Sequence, residues 1–141
     1  VRQTGRTFRD WTEACEAGAQ GREICFVFQR VSYRGKQVAN ITLGFKPGKS
    51  GPVAVINMPL GAIHLPDGLR VRTDQGVDGW GPFKFCDTKG CHVELDIEPQ
   101  LLAALKAGTN GWLLFYDLRR EPIQLPFSLR GLTAGLQSLR R

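Results

Sequence analysis

Four cysteines in two close pairs constrain the fold of this chain more than any other feature. Cys15 and Cys25 are separated by nine residues, and Cys86 and Cys91 by four. An even number of cysteines at such spacing predicts two local disulfides, Cys15–Cys25 and Cys86–Cys91, and an oxidising compartment outside the cytosol. Zinc is the alternative, although zinc sites usually leave two to four residues between the cysteines of both pairs. Here the first gap is nine residues, and only His92 lies near a pair.

The length and composition of the chain suit one folded domain. Its 141 residues, of which 42% are hydrophobic and 23% charged, are enough to bury a core, and we expect a single domain over residues 1–141 with short basic tails at both ends. The longest apolar runs are too short to cross a bilayer. Because the sequence shows no signal peptide, the paired cysteines predict that the chain begins after a cleaved leader, near Val1.

Hydrophobic residues alternate with period two through most of the chain, which predicts β-strands. In the clearest case Val93, Leu95 and Ile97 alternate with polar residues. Turn residues separate seven such runs, which are 24–29, 38–45, 53–58, 69–73, 92–97, 112–118 and 123–127. The pattern predicts a mainly β protein, an antiparallel sandwich of seven to nine strands.

One α-helix is predicted within this strand pattern, at about residues 98–107. Pro99 stands at the first helical position and Gly108 just past the end, which are the positions that these residue types favour. Three leucines between them form a narrow apolar stripe. A second, weaker helical turn is predicted after Ser128, which is a candidate N-cap.

The chain is basic, with a formal net charge of +6, and thirteen of its nineteen basic residues are arginine. Such a surface favours anionic partners: phospholipid headgroups, lipopolysaccharide or acidic glycans. The alternative is that scattered basic residues only keep the domain soluble. Nucleic acid is not expected, because the disulfides place the chain away from it and the sequence has no recognised nucleic-acid-binding motif.

The sequence has no motif typical of a catalytic, metal or cofactor site. A Gly-x-Ser-x-Gly elbow is missing, and His64 and His92 belong to no recognisable catalytic constellation. His64 lies in an apolar segment and is predicted to be a hydrogen-bonded structural residue, whereas His92 is predicted to be exposed. A redox-active Cys86–Cys91 pair is the alternative to a structural bridge, but redox pairs prefer two intervening residues at a helix N-terminus.

The candidate contact residues are basic side chains in predicted loops and turns, together with one glycine-flanked tryptophan. The segment 44–50 resembles a phosphate-binding loop but has only three residues between its glycines, so it is predicted to be a basic hairpin loop. An exposed tryptophan beside basic residues suits contact with a surface or partner. The other two tryptophans are predicted to pack in the core or against a sheet. The candidates are Lys46, Lys49, Trp80, Lys84 and Lys89.

An ordered set of short motifs resembles the invasion-associated locus B family of bacterial proteins. Their order and spacing extend over about nine-tenths of the chain, with Leu132 in place of an expected phenylalanine. The motifs are Trp11 followed by Cys15, Cys25 with Gln29, 60–69 leading to Asp74, 82–86 with Gly90 and Cys91, 105–108, and 123–132.

This resemblance implies an immunoglobulin-like β-sandwich with two local disulfides, exported in a Gram-negative bacterium. It brings no catalytic residue and no cofactor. We therefore expect a non-enzymatic envelope protein, periplasmic or secreted and associated with the outer membrane, that takes part in host-cell invasion or adhesion. Its expected partners are an anionic membrane, lipopolysaccharide, a host-cell surface or another protein. The alternatives are a periplasmic ligand-binding or chaperone-like module and, less expected, a periplasmic hydrolase or thiol oxidoreductase.

Overall fold

The computed structural model of this protein describes residues 2–140, so Val1 and Arg141, the ends of the predicted domain, lie outside the described residues. Over that range the chain forms eleven strands and two α-helices. In chain order they are β1 (Arg2–Phe8), β2 (Trp11–Ala17), β3 (Glu23–Tyr33), β4 (Lys36–Gly44), β5 (Val53–Met58), β6 (Leu69–Thr73), β7 (Asp78–Gly81), β8 (Phe83–Asp87), β9 (Gly90–Asp96), α1 (Pro99–Ala107), β10 (Asn110–Tyr116), β11 (Pro122–Ser128) and α2 (Leu132–Leu139).

The strands form two antiparallel sheets. Sheet A has seven strands in the order β1-β2-β3-β4-β5-β9-β8, and sheet B has four in the order β11-β10-β6-β7. From β1 to β5 each strand pairs with the next along the chain, as short connections favour. The predicted mainly β, antiparallel fold is confirmed, with more strands than the seven to nine expected. Its immunoglobulin-like character stays a prediction.

One apolar core lies between the two sheets and beneath the helices. Every second residue of a strand points inward, so each sheet presents an apolar inner face. Where sheet B does not cover sheet A, α2 packs on β1, β2 and β3, and Gly135 lets the helix approach Val27 and Phe8 closely. The most deeply buried core residues are Trp11, Val27, Ile56, Met58, Leu69, Val93, Leu113 and Leu132.

Both predicted disulfides are present, and each joins directly opposed residues of neighbouring strands. Cys15 of β2 faces Cys25 of β3, and Cys86 of β8 faces Cys91 of β9, with Cα atoms 4.0 Å apart in each pair. Glu23 lies close enough to the first pair to suggest a metal site. The two sulfur atoms are bonded to each other, however, and do not offer the thiolates that zinc requires. The disulfide prediction is therefore confirmed over the zinc alternative.

The predicted basic tails are instead parts of the folded structure. The N-terminal segment is β1, which pairs with β2 from Arg2 opposite Cys15 to Phe8 opposite Trp11. Because an edge strand exposes much of its surface to water, the sequence of β1 is polar and shows no alternation of hydrophobic and polar residues that would predict a strand. At the other end, α2 continues to Leu139, one residue before the last described residue.

The predicted helix over about 98–107 is confirmed as α1, with Pro99 at its first turn and Gly108 at its C-cap. The second helix starts later than predicted, because Gly131 rather than Ser128 is its N-cap. Ser128 is occupied elsewhere: its N–H donates to the Gln29 side chain and its hydroxyl donates to Asp10. Within residues 2–140, neither helix has both the length and the apolar character needed to span a membrane.

Candidate functional site

The outer face of sheet B carries large aromatic side chains and arginines. In β10, residues at alternate positions enter the core, and the residues between them face outward and are half-buried or exposed. The same alternation turns one or two large side chains outward from each of the other three strands. We name this set the aromatic–arginine face: Arg70, Arg72, Trp80, Trp112, Leu114, Tyr116 and Gln124.

Strand register arranges these side chains in two rows that cross the sheet. Directly opposed positions on neighbouring strands lie close enough for their side chains to interact. With strands about 4.8 Å apart, four positions extend over roughly 14 Å. The first row is Trp80, Arg70, Leu114 and Gln124, and the second is Asp78, Arg72, Trp112 and Pro126.

Trp80 is held in place by the segment that precedes β6. Its indole N–H donates a hydrogen bond to the Asp67 carbonyl oxygen at 3.0 Å. Gly68 has a positive φ of 69°, and a Cβ atom there would lie 2.5 Å from Cζ2 of Trp80, so only glycine fits under the ring. The indole is nevertheless 48% exposed. Trp80 is therefore exposed, as expected, and its ring is held in place by the Asp67 carbonyl oxygen and by Gly68.

The Asp67 side chain links this segment to the turn between β10 and β11. Its carboxylate lies 2.7 Å from His64 Nδ1 and 3.1 Å from a terminal nitrogen of Arg120. The backbone N–H of His64 donates to the Tyr116 carbonyl oxygen at 2.8 Å. His64 is thus the hydrogen-bonded structural histidine that the sequence predicts, and it supports one end of the aromatic–arginine face.

A shallow depression of about 330 Å³ lies within the aromatic–arginine face. Trp80 and Tyr116, which are 48% and 41% exposed, border it. Arg70, Leu114 and Gln124 of the first row also line it. The depression therefore combines two aromatic rings with a guanidinium and an amide, which can contact an apolar surface and a polar or anionic group together.

The charges around the depression leave one arginine uncompensated. Arg72 pairs with Asp78 at 3.4 Å, and Arg120 pairs with Asp67. Arg70 is exposed and makes no ion pair with any acidic group in residues 2–140. As far as the described residues show, the aromatic–arginine face consequently presents an uncompensated guanidinium beside Trp80.

The predicted contact lysines lie away from Trp80, on or beside the outer face of sheet A. Lys46 and Lys49, in the loop between β4 and β5, pair with Glu94 and Asp96 of β9 at 3.0 and 3.2 Å. The hydrogen bond from Lys46 lowers the pKa of the Glu94 carboxyl, and the charges of Lys46 and Lys84 lower it further.

Lys89 lies in the turn between β8 and β9, and Lys84 lies on β8. One side of β7 packs on β9 through Gly79 and Gly81, and Trp80 projects from the other side, away from sheet A. The structure therefore does not bring the lysines and Trp80 into one site. It also leaves Lys46 and Lys49 with acidic partners.

His92 is less exposed than the sequence predicts, with 16% of its side chain accessible. Its ring stacks on Phe85 with centroids 4.6 Å apart, and its Nε2 lies 3.1 Å from an Asp87 carboxylate oxygen. This hydrogen bond lowers the pKa of Asp87, and the Lys89 backbone N–H adds to the effect. His92 therefore lies on the outward face of its strand, as predicted, but it is only partly exposed because Phe85, on the edge strand β8, stacks on the imidazole.

Several motif residues have structural roles outside the aromatic–arginine face. The Ser128 carbonyl oxygen accepts hydrogen bonds from the Trp11 indole and the Gln29 amide, both at 3.1 Å, and so ties the end of β11 to sheet A. Backbone N–H groups of Asn110 and Thr109 donate to Asp74 and lower its pKa, and the Gln75 side chain adds a smaller contribution. These contacts explain why a hydrogen-bonding side chain is needed at Trp11, Gln29 and Asp74.

Sequence reasoning missed most of the aromatic–arginine face. Trp112 lies half-buried against the outer face of sheet B, which agrees with the expectation that it packs in the core or against a sheet, but its place in a partly exposed surface was not predicted. Trp11, by contrast, is fully buried. The signal that could have found the face was present in β10, where Trp112, Leu114 and Tyr116 alternate with inward-facing residues.

The fold and the site define a disulfide-linked, two-sheet β domain with an exposed aromatic–arginine surface. Residues 11–140 match the family described as invasion associated locus B (IalB) protein. This chain belongs to the invasion-associated locus B family.

Individual relatives agree with this assignment. The Invasion protein B homologs of Brucella abortus strain 2308 and of Brucella abortus biovar 1 strain 9-941 are each 28% identical over 138 residues, which cover 94% of this chain and 77% of theirs. The crystal structure of invasion associated protein B from Bartonella henselae superposes with a TM-score of 0.80 at 22% identity. The superposition covers 95% of this chain and 94% of the Bartonella henselae chain. This last likeness shows that the fold is shared.

Proposed function

We propose that this protein is an exported, non-enzymatic envelope protein that works by surface contact, and that the aromatic–arginine face is its contact surface. The observation that carries the proposal is the depression where the half-exposed Trp80 and Tyr116 border Arg70, which has no acidic partner within residues 2–140. Tryptophan, tyrosine and arginine are the residue types most enriched where protein surfaces bind their partners.

Export to the periplasm, or secretion with outer-membrane association, is supported by the two disulfides, which persist in oxidising compartments. A role in host-cell invasion or adhesion is supported by the names of the Brucella relatives and by the family description. The absence of catalysis is part of the proposal. It is supported by the four cysteines, which are all joined in disulfides and therefore offer no thiol nucleophile.

The proposed partner is an anionic surface: an anionic membrane, lipopolysaccharide or the surface of a host cell. The net charge of +6 supports attraction over a long range, which steers association and weakens as salt is added. At short range the free Arg70 and the aromatic rings would make the contact. A protein partner on the same face would use the same residue types.

The test is binding of the purified protein to host cells, to lipopolysaccharide and to anionic phospholipid vesicles at low and physiological salt. The double variant R70Q/Y116A removes the free charge and one aromatic ring from the aromatic–arginine face. We expect it to weaken binding about tenfold or more, because hot-spot residues of this kind typically contribute more than about 1 kcal/mol each.

The double variant K46Q/K49Q is the matched control, because it changes two exposed basic residues in the β4–β5 loop of sheet A, away from the aromatic–arginine face. It should bind nearly as well as the unchanged protein, since both lysines already have acidic partners. Loss of binding in the control, with binding retained in R70Q/Y116A, would move the contact to sheet A. No binding by the unchanged protein to any of the three surfaces would contradict the proposed function itself.

A periplasmic ligand-binding module is the second candidate. It is favoured by the depression, whose volume of about 330 Å³ falls at the lower end of the range for small-molecule sites, roughly 300–1,000 Å³. The two candidates share one surface and differ in whether the ligand is free or attached to a larger surface.

A further inference from the structure

We infer that the depression on the aromatic–arginine face binds a carboxylate-bearing sugar residue, the acidic unit of an anionic glycan. The inference deepens the proposed function and rests on it, because it names the ligand chemistry of the same surface. It depends on the positions of Trp80, Arg70, Tyr116 and Gln124 and on the charges around them.

The aromatic rings supply the apolar part of such a site. A pyranose ring has a face of C–H groups, whose slight positive charge is attracted to the negative face of an aromatic ring. Trp80 is held by its hydrogen bond to Asp67 and by its packing on Gly68, yet remains 48% exposed. A ring that is ordered before binding loses little conformational entropy when a ligand stacks on it.

Arg70 supplies the recognition of the carboxylate. Its planar guanidinium can donate two parallel hydrogen bonds to the two oxygens of a carboxylate, which is the strong bidentate geometry. It lies between Trp80 and Leu114 in the first row, so a carboxylate on a sugar ring stacked against Trp80 would come within its reach. Gln124, at the far end of the row, offers both donors and an acceptor to sugar hydroxyls.

The local charge count favours a single negative charge over a phosphate. Arg72 is compensated by Asp78, and Arg120 by Asp67, whose carboxylate also contacts His64. Among the described residues that line the depression, Arg70 is the one cation left without an acidic partner. A carboxylate carries one charge, whereas a phosphate monoester carries about 1.5 to 2 charges near pH 7 and usually needs more cations around it.

The size of the site suits a short carbohydrate segment. The depression of about 330 Å³ is open to solvent, and the first row extends over roughly 14 Å across four strands. These dimensions match one or two sugar residues. An open site of this shape would also let the sugar be part of a longer chain on a cell surface.

The experiment is an NMR titration of the ¹⁵N-labelled protein with a matched pair of disaccharides. Cellobiouronic acid carries the carboxylate, and cellobiose is the neutral counterpart that lacks it. We expect cellobiouronic acid to shift the backbone N–H signals of β6, β7, β10 and β11 and the side-chain signal of the Trp80 indole N–H. Cellobiose should bind with an affinity at least about tenfold lower. R70Q should lower the affinity for cellobiouronic acid by a similar factor. R22Q removes one exposed arginine on another part of the surface and should leave that affinity unchanged.

Other probes separate the possible failures. Equal binding of the two disaccharides, or tighter binding of inorganic phosphate than of the acidic sugar, would overturn the assignment of the carboxylate. Tighter binding of a glutamate-rich peptide than of the sugar would assign the depression to a protein partner instead. If neither disaccharide binds while host cells or vesicles still bind through the aromatic–arginine face, the sugar inference fails and the proposed function stands. If no probe and no surface binds, both fail.

Discussion

Gly131 and Gly68 show, at the scale of single residues, how close contacts decide which residue type a position accepts. Gly131 has a φ of 91°, and a Cβ atom there would overlap the carbonyl oxygen of Phe8. The contact brings the start of α2 against the β1–β2 turn. Gly68 similarly makes room for the Trp80 ring. The fold therefore requires glycine at position 131, and the candidate site requires glycine at position 68.

Replacing Gly131 with alanine should lower the free energy of unfolding by more than the cost of its backbone conformation alone. A positive φ costs a non-glycine residue about 1 kcal/mol, and the clash with Phe8 would add to that cost, for a total of roughly 3 kcal/mol. Urea denaturation would measure the difference. Gly61→Ala is the control, because Gly61 has a φ of 72° but nothing within 4 Å of its added Cβ. Equal losses in the two variants would show that the contact with Phe8 does not matter.

The two disulfides act at the scale of secondary-structure elements, since each fixes the register of one strand pair. Cys15–Cys25 joins β2 to β3 inside sheet A, and Cys15 is buried. Cys86–Cys91 joins the edge strand β8 to β9, and Cys86 is exposed. Their sequence separations are 10 and 5 residues, so both close short loops.

Replacing both cysteines of a pair with alanine should cost roughly 2 to 3 kcal/mol in the chain-entropy treatment, with the larger loss for the longer loop. We therefore expect C15A/C25A to be less stable than C86A/C91A, also because it affects a strand with a neighbour on each side. Thermal unfolding of the two variants and of the unchanged protein would test this order. A variant that melts at the same temperature as the unchanged protein would show that its disulfide contributes no stability.

At the scale of the whole molecule, hydrogen bonds join the end of β11 to sheet A and to the β1–β2 turn. Ser128, at the end of β11 in sheet B, exchanges hydrogen bonds with the Gln29 side chain of β3 in sheet A. The Trp11 indole donates to the same serine carbonyl oxygen, and Asp10 accepts a hydrogen bond from its hydroxyl. Polar contacts thus connect the sheets at one end of the apolar core.

Replacing Gln29 with leucine should lower the free energy of unfolding by about 2 kcal/mol, because the Ser128 N–H would lose its hydrogen-bond acceptor in a partly buried place. Chemical denaturation followed by circular dichroism would measure the change. The exposed Gln37 of β4 provides the control, and Gln37→Leu should change stability by less than about 0.5 kcal/mol. If both substitutions have the same small effect, the connection through Ser128 is not important for stability.

Local patterns were enough to predict the parts of the molecule whose causes are local. The period-two alternation of Val93, Leu95 and Ile97 indicated β9, and Pro99 with Gly108 marked the ends of α1. The short spacing of the cysteines predicted both disulfides. Four strands were missed: β1 and β8 lie at the edges of sheet A, β7 contains two glycines in four residues, and β2 buries Glu13 on a core-facing position.

The sequence by itself determined the mainly β class, the helix α1, the two covalent links and the family, because each depends on residues that are near one another or in a fixed order. Tertiary structure alone decided which side chains form a surface. Trp80, Arg70, Leu114 and Gln124 come from four different strands and meet only through strand pairing. The ion pairs of Lys46 and Lys49 depend on residues more than forty positions away. The physical reason is that charge and exposure are properties of neighbours in space, which local sequence patterns do not specify.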